Sequence, residues 1–321
     1  MVRVPKSIGE TITRHLVASR LNSFRTGGVG VLEAIRRLAA VPGLSALELN
    51  YPQHVQELRE GDLNSILDET GLPLTALNLR FEGVQFKRGA FTSPEAEVRH
   101  ESVRVACEAA DFAAAHSAGH IVLWMADDGW DYPFQTDYRS LWERELEGFR
   151  AVAAWNAQVR VSVEYKPREP RRVSLIRSMG DALLAAREVA MPNFGVTLDV
   201  CHAYMAGEHP PAAAAAALRE GKLFGVHLND GYGSADDGLV FGSVHQHDAL
   251  ELLWVLSEGR YEGTFYFDTF PVREDPAAEL AANIAELERL LVEAGRIDRP
   301  QLVVAQERQD ALAARQAVFR P

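Results

Sequence analysis

Cysteine is almost missing from this 321-residue chain: Cys107 and Cys201 stand far apart with no CxxC spacing, which excludes a disulfide framework and a cysteine zinc site. Both read as small buried apolar residues. Positive charge is also in deficit. The formal net charge of −12 speaks against a nucleic-acid partner, which calls for a basic face. No apolar run approaches the roughly 20 residues needed to cross a bilayer, and the first residues carry no apolar leader, so no membrane role and a cytoplasmic location are expected. Neither GxGxxG nor GxxxxGK[ST] occurs, so the phosphate-cradling turn of a dinucleotide or nucleotide fold is absent.

What is present is regular. Apolar strand patterns fall at 15–19, 44–49, 74–79, 120–125, 159–163, 194–198, 223–228 and 264–267. Helical spacing follows at 29–40, 55–69, from a Ser93 cap to 118, and at 138–158, 173–190, 212–220, 247–257 and 276–294. Eight strand–helix units predict a single α/β domain over residues 1–295, a (β/α)8 barrel, with a C-terminal helical extension over 296–321. That tail either packs on a neighbouring subunit or caps the barrel.

In such a barrel the chemistry collects at the C-terminal ends of the strands. Strands five to eight end in Glu164, Asp199, His227 and Asp268. One strand-end carboxylate is an ordinary helix cap and one histidine an ordinary core residue, but four ligand types on consecutive strands need a common neutralising partner. A divalent cation supplies one, and carboxylate with imidazole suits Mn²⁺, Mg²⁺, Co²⁺ or Zn²⁺. His202 and Asp236 follow close behind two of these residues and define a second, more exposed site, on a glycine-containing acidic loop that permits movement. The plain alternative is that Asp236 and Asp237 are solvated loop charges and His202 caps a helix.

These residues carry a resemblance. Glu164-Tyr165-Lys166, Asp199 with His202, His227-Leu228-Asn229-Asp230 with the Asp236-Asp237-Gly238-Leu239 loop, Asp268, and the segment LWMADDGWDYPFQ from Leu123 to Gln135 resemble the xylose isomerase-like TIM barrels, closest to the L-rhamnose isomerase branch. The resemblance spans about 119–294. It implies an aldose–ketose isomerase that uses one or two divalent cations, Mn²⁺ foremost, on a small sugar. By analogy Glu164, Asp199, His227 and Asp268 would hold the structural cation, with His202 and Asp236 holding the catalytic cation and its water. Lys166, with His202 and Asp236, would then be catalytic, the lysine meeting the sugar's O1. Trp124, Trp130, Tyr132, Asn229 and Phe270 are the candidates for contact with the sugar, and a homodimer or homotetramer is implied.

The chain departs from that branch at Gly238, where a third acid stands in the relatives; Asp237 is the candidate substitute. Three alternatives are carried. A ketose 3-epimerase uses a related barrel with two glutamates, whereas the eighth strand here supplies Asp268. A zinc endonuclease of this fold is disfavoured by the net charge. A metal-keeping barrel subunit of a lyase acting on modified sugars or glycosides is kept open by the missing acid.

Overall fold

The computed structural model describes residues 15–319; the N-terminal stretch read for a leader lies outside them. Eight parallel strands form one sheet: β1 (Val17–Ser19), β2 (Leu47–Tyr51), β3 (Leu74–Arg80), β4 (His120–Trp124), β5 (Arg160–Glu164), β6 (Phe194–Asp199), β7 (Leu223–Leu228) and β8 (Phe265–Phe267). From β2 to β8 each strand pairs with the next, and β8 pairs with β1. The last seam, β1 to β2, is closed by Val17: its carbonyl accepts from Ser45 N and Ala46 N, both at 3.0 Å, and its own N–H donates to Ser45 Oγ at 2.8 Å. The result is the predicted barrel.

Around it run α1 (Val31–Ala39), α2 (Asp62–Thr70), α3 (Ala96–Ala115), α4 (Tyr138–Trp155), α5 (Met179–Val189), α6 (Val200–Met205), α7 (Pro210–Arg219), α8 (Gln246–Glu258) and α9 (Pro276–Arg296). They form because apolar residues recur on one face: in α1, Val31, Ala34, Ile35 and Leu38 are all buried. Some of their starts are fixed by side chains. Asp137 caps α4, Ser178 caps α5, and Asp275 caps α9 with Pro276 at its first turn.

The structure departs from periodicity in a few places. The helix predicted over 55–69 splits into a short turn and α2, because Gly61 takes φ +83° between them. Ser93 does not cap α3: it sits before Pro94, and its hydroxyl exchanges hydrogen bonds with Glu95, whose extended backbone begins the helix. Val173 and Ser174, predicted as helix, pair antiparallel with Gly129 and Trp130. That two-residue ladder leaves no room for a side chain at position 129, where a Cβ would lie 2.2 Å from the Val173 carbonyl oxygen.

The tail folds into two further helices, α10 (Arg299–Glu307) and α11 (Ala311–Val318), started by Asp298 and Asp310. Leu302, Ile297 and Ala317 pack with Trp254 of α8, so this extension lies against the outer wall of its own barrel. Among the described residues no helix is long and apolar enough to cross a membrane.

The main core lies between strands and helices. Phe149 of α4 is wholly buried between Phe91 and Phe194, with ring centroids 5.8 and 4.8 Å away. Phe149→Ala is expected to cost about 3–5 kcal/mol in denaturant unfolding, because so rigid a shell cannot close the space. A loss below about 1 kcal/mol would mean that the wall between α4 and β6 is not packed as described.

Candidate metal centre

Side chains alternate across each strand, so one residue in two faces the barrel interior. Ala18, Ala46 and Tyr266 form a small apolar plug there, separate from the main core. Above it, register aligns the interior residues. Arg80 on β3 lies beside Trp124 on β4, and Trp124 beside Glu164 on β5; Asp199 on β6 lies beside His227 on β7, and His227 beside Tyr266 on β8. Asp268 follows β8 directly.

Two ligand groups result. One atom each from Glu164, Asp199, His227 and Asp268 converges within 4.8 Å, and Asp199, His202 and Asp236 form a second such group, so the two meet at Asp199. His227 Nδ1 is 3.5 Å from Glu164 Oε1, and His202 Nδ1 is 3.3 Å from the same oxygen. His202 Nε2 is 3.2 Å from Asp236 Oδ2.

Local structure explains the aim of each side chain. Asp199 ends β6 and caps α6, accepting from His202 N at 2.9 Å, and the tight first turn of α6 carries the His202 ring back over the carboxylates. Asn229 is fully buried and turned away from the pocket. Its amide donates to Asp199 Oδ2 at 2.9 Å while its oxygen accepts from Cys201 N at 2.7 Å, so it orients a ligand instead of contacting a sugar.

The acidic loop is pinned, contrary to the expected freedom. Asp230 and Leu239 exchange backbone hydrogen bonds at its base, and Arg168 donates to the carbonyls of Gly233 and Ser234 at its tip. Asp236 is thereby directed inward, where its Oδ2 also receives Lys166 Nζ at 2.9 Å. Asp237 points elsewhere: it accepts from Tyr232 N at 2.7 Å and joins neither ligand group. Gly238 has a physical reason of its own. Its φ is +57°, and a Cβ would lie 2.4 Å from the Phe270 ring, so an acid there would displace that ring.

Electrostatics follow from packing four carboxylates and two imidazoles out of water. Burial alone would lower both histidines, but Asp199, Asp236 and Glu164 raise His202 to about 9, and Glu164 and Asp268 raise His227 to about 10. Burial would raise Glu164, yet the two imidazolium charges override it and hold it well below the usual range. Asp199 is pushed up, by burial first and by its acidic neighbours next. Lys166 is buried, which opposes its charge, but Asp236 and Glu169 at 2.9 and 3.2 Å keep it protonated. The donor set fits a divalent cation on a direct observation: His202 Nδ1, His227 Nδ1 and Asp236 Oδ1 are buried with no hydrogen-bond partner, and all three belong to the two converging groups.

These residues open onto a cavity of about 160 Å³, lined also by Trp124 and Phe270. Trp130 and Tyr132 do not reach it. Trp130, in the two-residue ladder, packs tilted against Tyr138 with ring centroids 4.7 Å apart, and Tyr132 is 73% exposed. Sequence reasoning missed the opposite wall, made by Arg20, Asn50, Asn78 and Arg80 at the ends of β1 to β3. The period-two alternation of β2 and β3 could have found Asn50, Asn78 and Arg80; the short β1 left Arg20 unmarked.

Residues 35–290 match the family described as the xylose isomerase-like TIM barrel. The chain belongs to that family. It is 34% identical over 217 residues to the xylose isomerase of Thermus thermophilus, a match that covers 65% of this chain and 56% of the relative, so the chain spans little more than half of that protein's length. Two crystal structures share its fold. A D-tagatose 3-epimerase-like protein superposes with a TM-score of 0.68 at 16% identity, covering 86% of this chain and 98% of the other. The 3-keto-D-glucoside 4-epimerase of E. coli gives 0.66 at 17% identity, with 87% and 99% covered.

A cation held by the two imidazoles of this family member would have to displace their protons. Divalent-ion affinity is therefore expected to rise between pH 6 and 9, about tenfold per pH unit for each proton displaced. Titration calorimetry with Mn²⁺ across that range checks it; an affinity independent of pH would mean that the histidines are not ligands.

Proposed function

We propose that this chain is a divalent-cation-dependent aldose–ketose isomerase that moves hydrogen between C1 and C2 of a small sugar. The observation that carries the reading is the pair of ligand groups joined at Asp199, with the Lys166 ammonium 2.9 Å from a carboxylate of the second group. Glu164, Asp199, His227 and Asp268 would hold one cation, and Asp199, His202 and Asp236 the other. Carboxylate-rich donor sets with one imidazole each suit Mn²⁺, with Co²⁺, Mg²⁺ or Zn²⁺ as substitutes. Bound there, the ions supply Lewis acidity toward the carbonyl and hydroxyl oxygens of the sugar.

The remaining roles fall to the chain itself. Lys166 stays charged and so donates to an oxygen on which negative charge develops, instead of removing a proton. Trp124 and Phe270 line the cavity as apolar bulk and exclude water from the reacting end. Asn229 holds Asp199 at a fixed angle, and the pinned loop does the same for Asp236.

A ketose 3-epimerase is the second reading, favoured by the likeness to the D-tagatose 3-epimerase-like fold. Two features weigh toward isomerisation: the eighth strand ends in Asp268 in place of a longer glutamate, and Lys166 stands beside the second ligand group. A lyase subunit acting on modified sugars or glycosides is the third. The same reading takes the chain as cytoplasmic and as a dimer or tetramer, with the exposed Val304 and Leu312 of the tail available for contact between copies.

The experiment is a screen of free aldoses and ketoses with added Mn²⁺ or Co²⁺. Conversion at C1–C2 is expected in the wild type, and Lys166→Met should lower kcat about 10²- to 10³-fold with metal content unchanged. Inversion at C3, or turnover confined to glycosides, would replace the isomerase reading by the second or third.

A further inference from the structure

The pocket is electrically two-sided. The ends of β5 to β8 carry the carboxylates and imidazoles, whereas the ends of β1 to β3 carry Arg20, Asn50, Asn78 and Arg80. The two arginines differ in one respect. Arg20 is matched, with Nη1 2.8 Å from Asp268 Oδ1. Arg80 lines the cavity, and among the described residues no carboxylate lies within ion-pair distance of it; its guanidinium lies over the Trp124 indole, 5.1 Å from the ring. A guanidinium stacked on an aromatic face keeps its in-plane N–H groups free for a second partner.

We propose that the substrate carries a carboxylate, and that Arg80 binds it at the end of the pocket away from the ligand groups. The inference rests on the sugar-isomerisation reading and narrows its substrate to a sugar acid.

Three observations beyond Arg80 itself support it. First, register places Arg80, Trp124 and Glu164 side by side on β3, β4 and β5, so Arg80 stands two strand spacings from the nearest ligand, roughly 10 Å. An extended small sugar acid spans that distance, with its aldehyde end at the ligand groups and its acid end at Arg80. Second, Arg80 and Arg20 act in the same direction on a neighbouring imidazole, adding to the effect of its burial. Burial, then Arg25, Arg80 and Arg20, lower His54 to about 3, and its Nδ1 accepts from Asn50 N at 2.9 Å. Third, Asn78, two residues before Arg80 on β3, also lines the cavity, and its Oδ1 is buried without a partner while its amide is held by Glu48 at 3.0 Å, which leaves an acceptor for a sugar hydroxyl on the same wall.

The choice of carboxylate over phosphate follows from charge and room. One unmatched guanidinium neutralises one negative charge, and its planar fork pairs with a carboxylate in two parallel hydrogen bonds. A phosphate ester brings a second charge into a protein whose net charge is already −12, and more bulk into a cavity of about 160 Å³.

The test uses the Mn²⁺-loaded full chain as wild type, Arg80→Gln and Arg80→Lys, with metal content measured in each, and matched sets of neutral aldoses, their uronic acids and their phosphate esters. The wild type is expected to prefer a uronate over its neutral counterpart by about tenfold or more in kcat/KM. Arg80→Gln should remove about 30-fold or more of that activity, mainly through KM, and at least about tenfold more of it than of the activity on the neutral counterpart. Arg80→Lys should fall between. Equal turnover of neutral sugars, a preference for the phosphate ester, or an equal loss on both classes in Arg80→Gln overturns the proposal. Absence of turnover with every sugar defeats the isomerase reading alone. The carboxylate is then read from the rise in Tm produced by uronates: a rise in wild type that is lost in Arg80→Gln supports it, and no rise, or a rise retained in the variant, overturns it.

Discussion

The structure depends on one electrostatic constraint: carboxylates from four neighbouring strands meet in a space from which most water is excluded. Glu164 and Asp199 are buried, and Asp236 and Asp268 are largely so. Such charges repel each other and lose their hydration, and together they cost far more than the barrel could retain without positive charge among them. Four cationic side chains, His202, His227, Lys166 and, from across the pocket, Arg20, meet these carboxylates, yet three polar atoms of the cluster still lack partners. A cluster that is charged, convergent and incompletely satisfied supports the reading of a divalent-cation site.

Much of the surrounding architecture serves that cluster. Asp199 caps a helix and so cannot swing; Asn229 spends its amide on the same carboxylate; the bridge between Asp230 and Leu239 turns a glycine-containing loop into a fixed arm for Asp236. Gly238 belongs to this arrangement. Read against related sequences it looks like a lost acid, but in the fold it is the position where Phe270 packs on the backbone, and the loop would have to move to accept any side chain there.

The barrel was legible because strand and helix periods alternate eight times, and the four candidate ligands because each ends an apolar run. His202 was legible through its three-residue offset from Asp199, which a helical turn converts into proximity. Other features depend on contacts that pattern does not encode. Trp130 and Tyr132 look like sugar-stacking residues, but a two-residue ladder to Val173 and Ser174 draws them away from the mouth. Asp237 is chemically equal to Asp236 and differs only in which backbone N–H it meets. Arg20 and Arg80 read as ordinary strand-end charges until closure of the barrel places them across from the carboxylates, and that closure runs through Ser45 and Val17, at the weakest strand in the sequence.

The two sides of the pocket thus have different origins in the chain, the ligand side in its second half and the arginine side in its first. Asp199 is the residue on which the ligand side turns, since both groups use it. The most direct measurement is metal stoichiometry after equilibration with Mn²⁺ and removal of loosely held ion, for the wild type, Asp199→Asn and Asp237→Asn. Two ions per chain in the wild type and in Asp237→Asn, with Asp199→Asn losing both, is the predicted result. A wild type that retains no ion, or an Asp199→Asn variant that retains its full complement, would contradict the account.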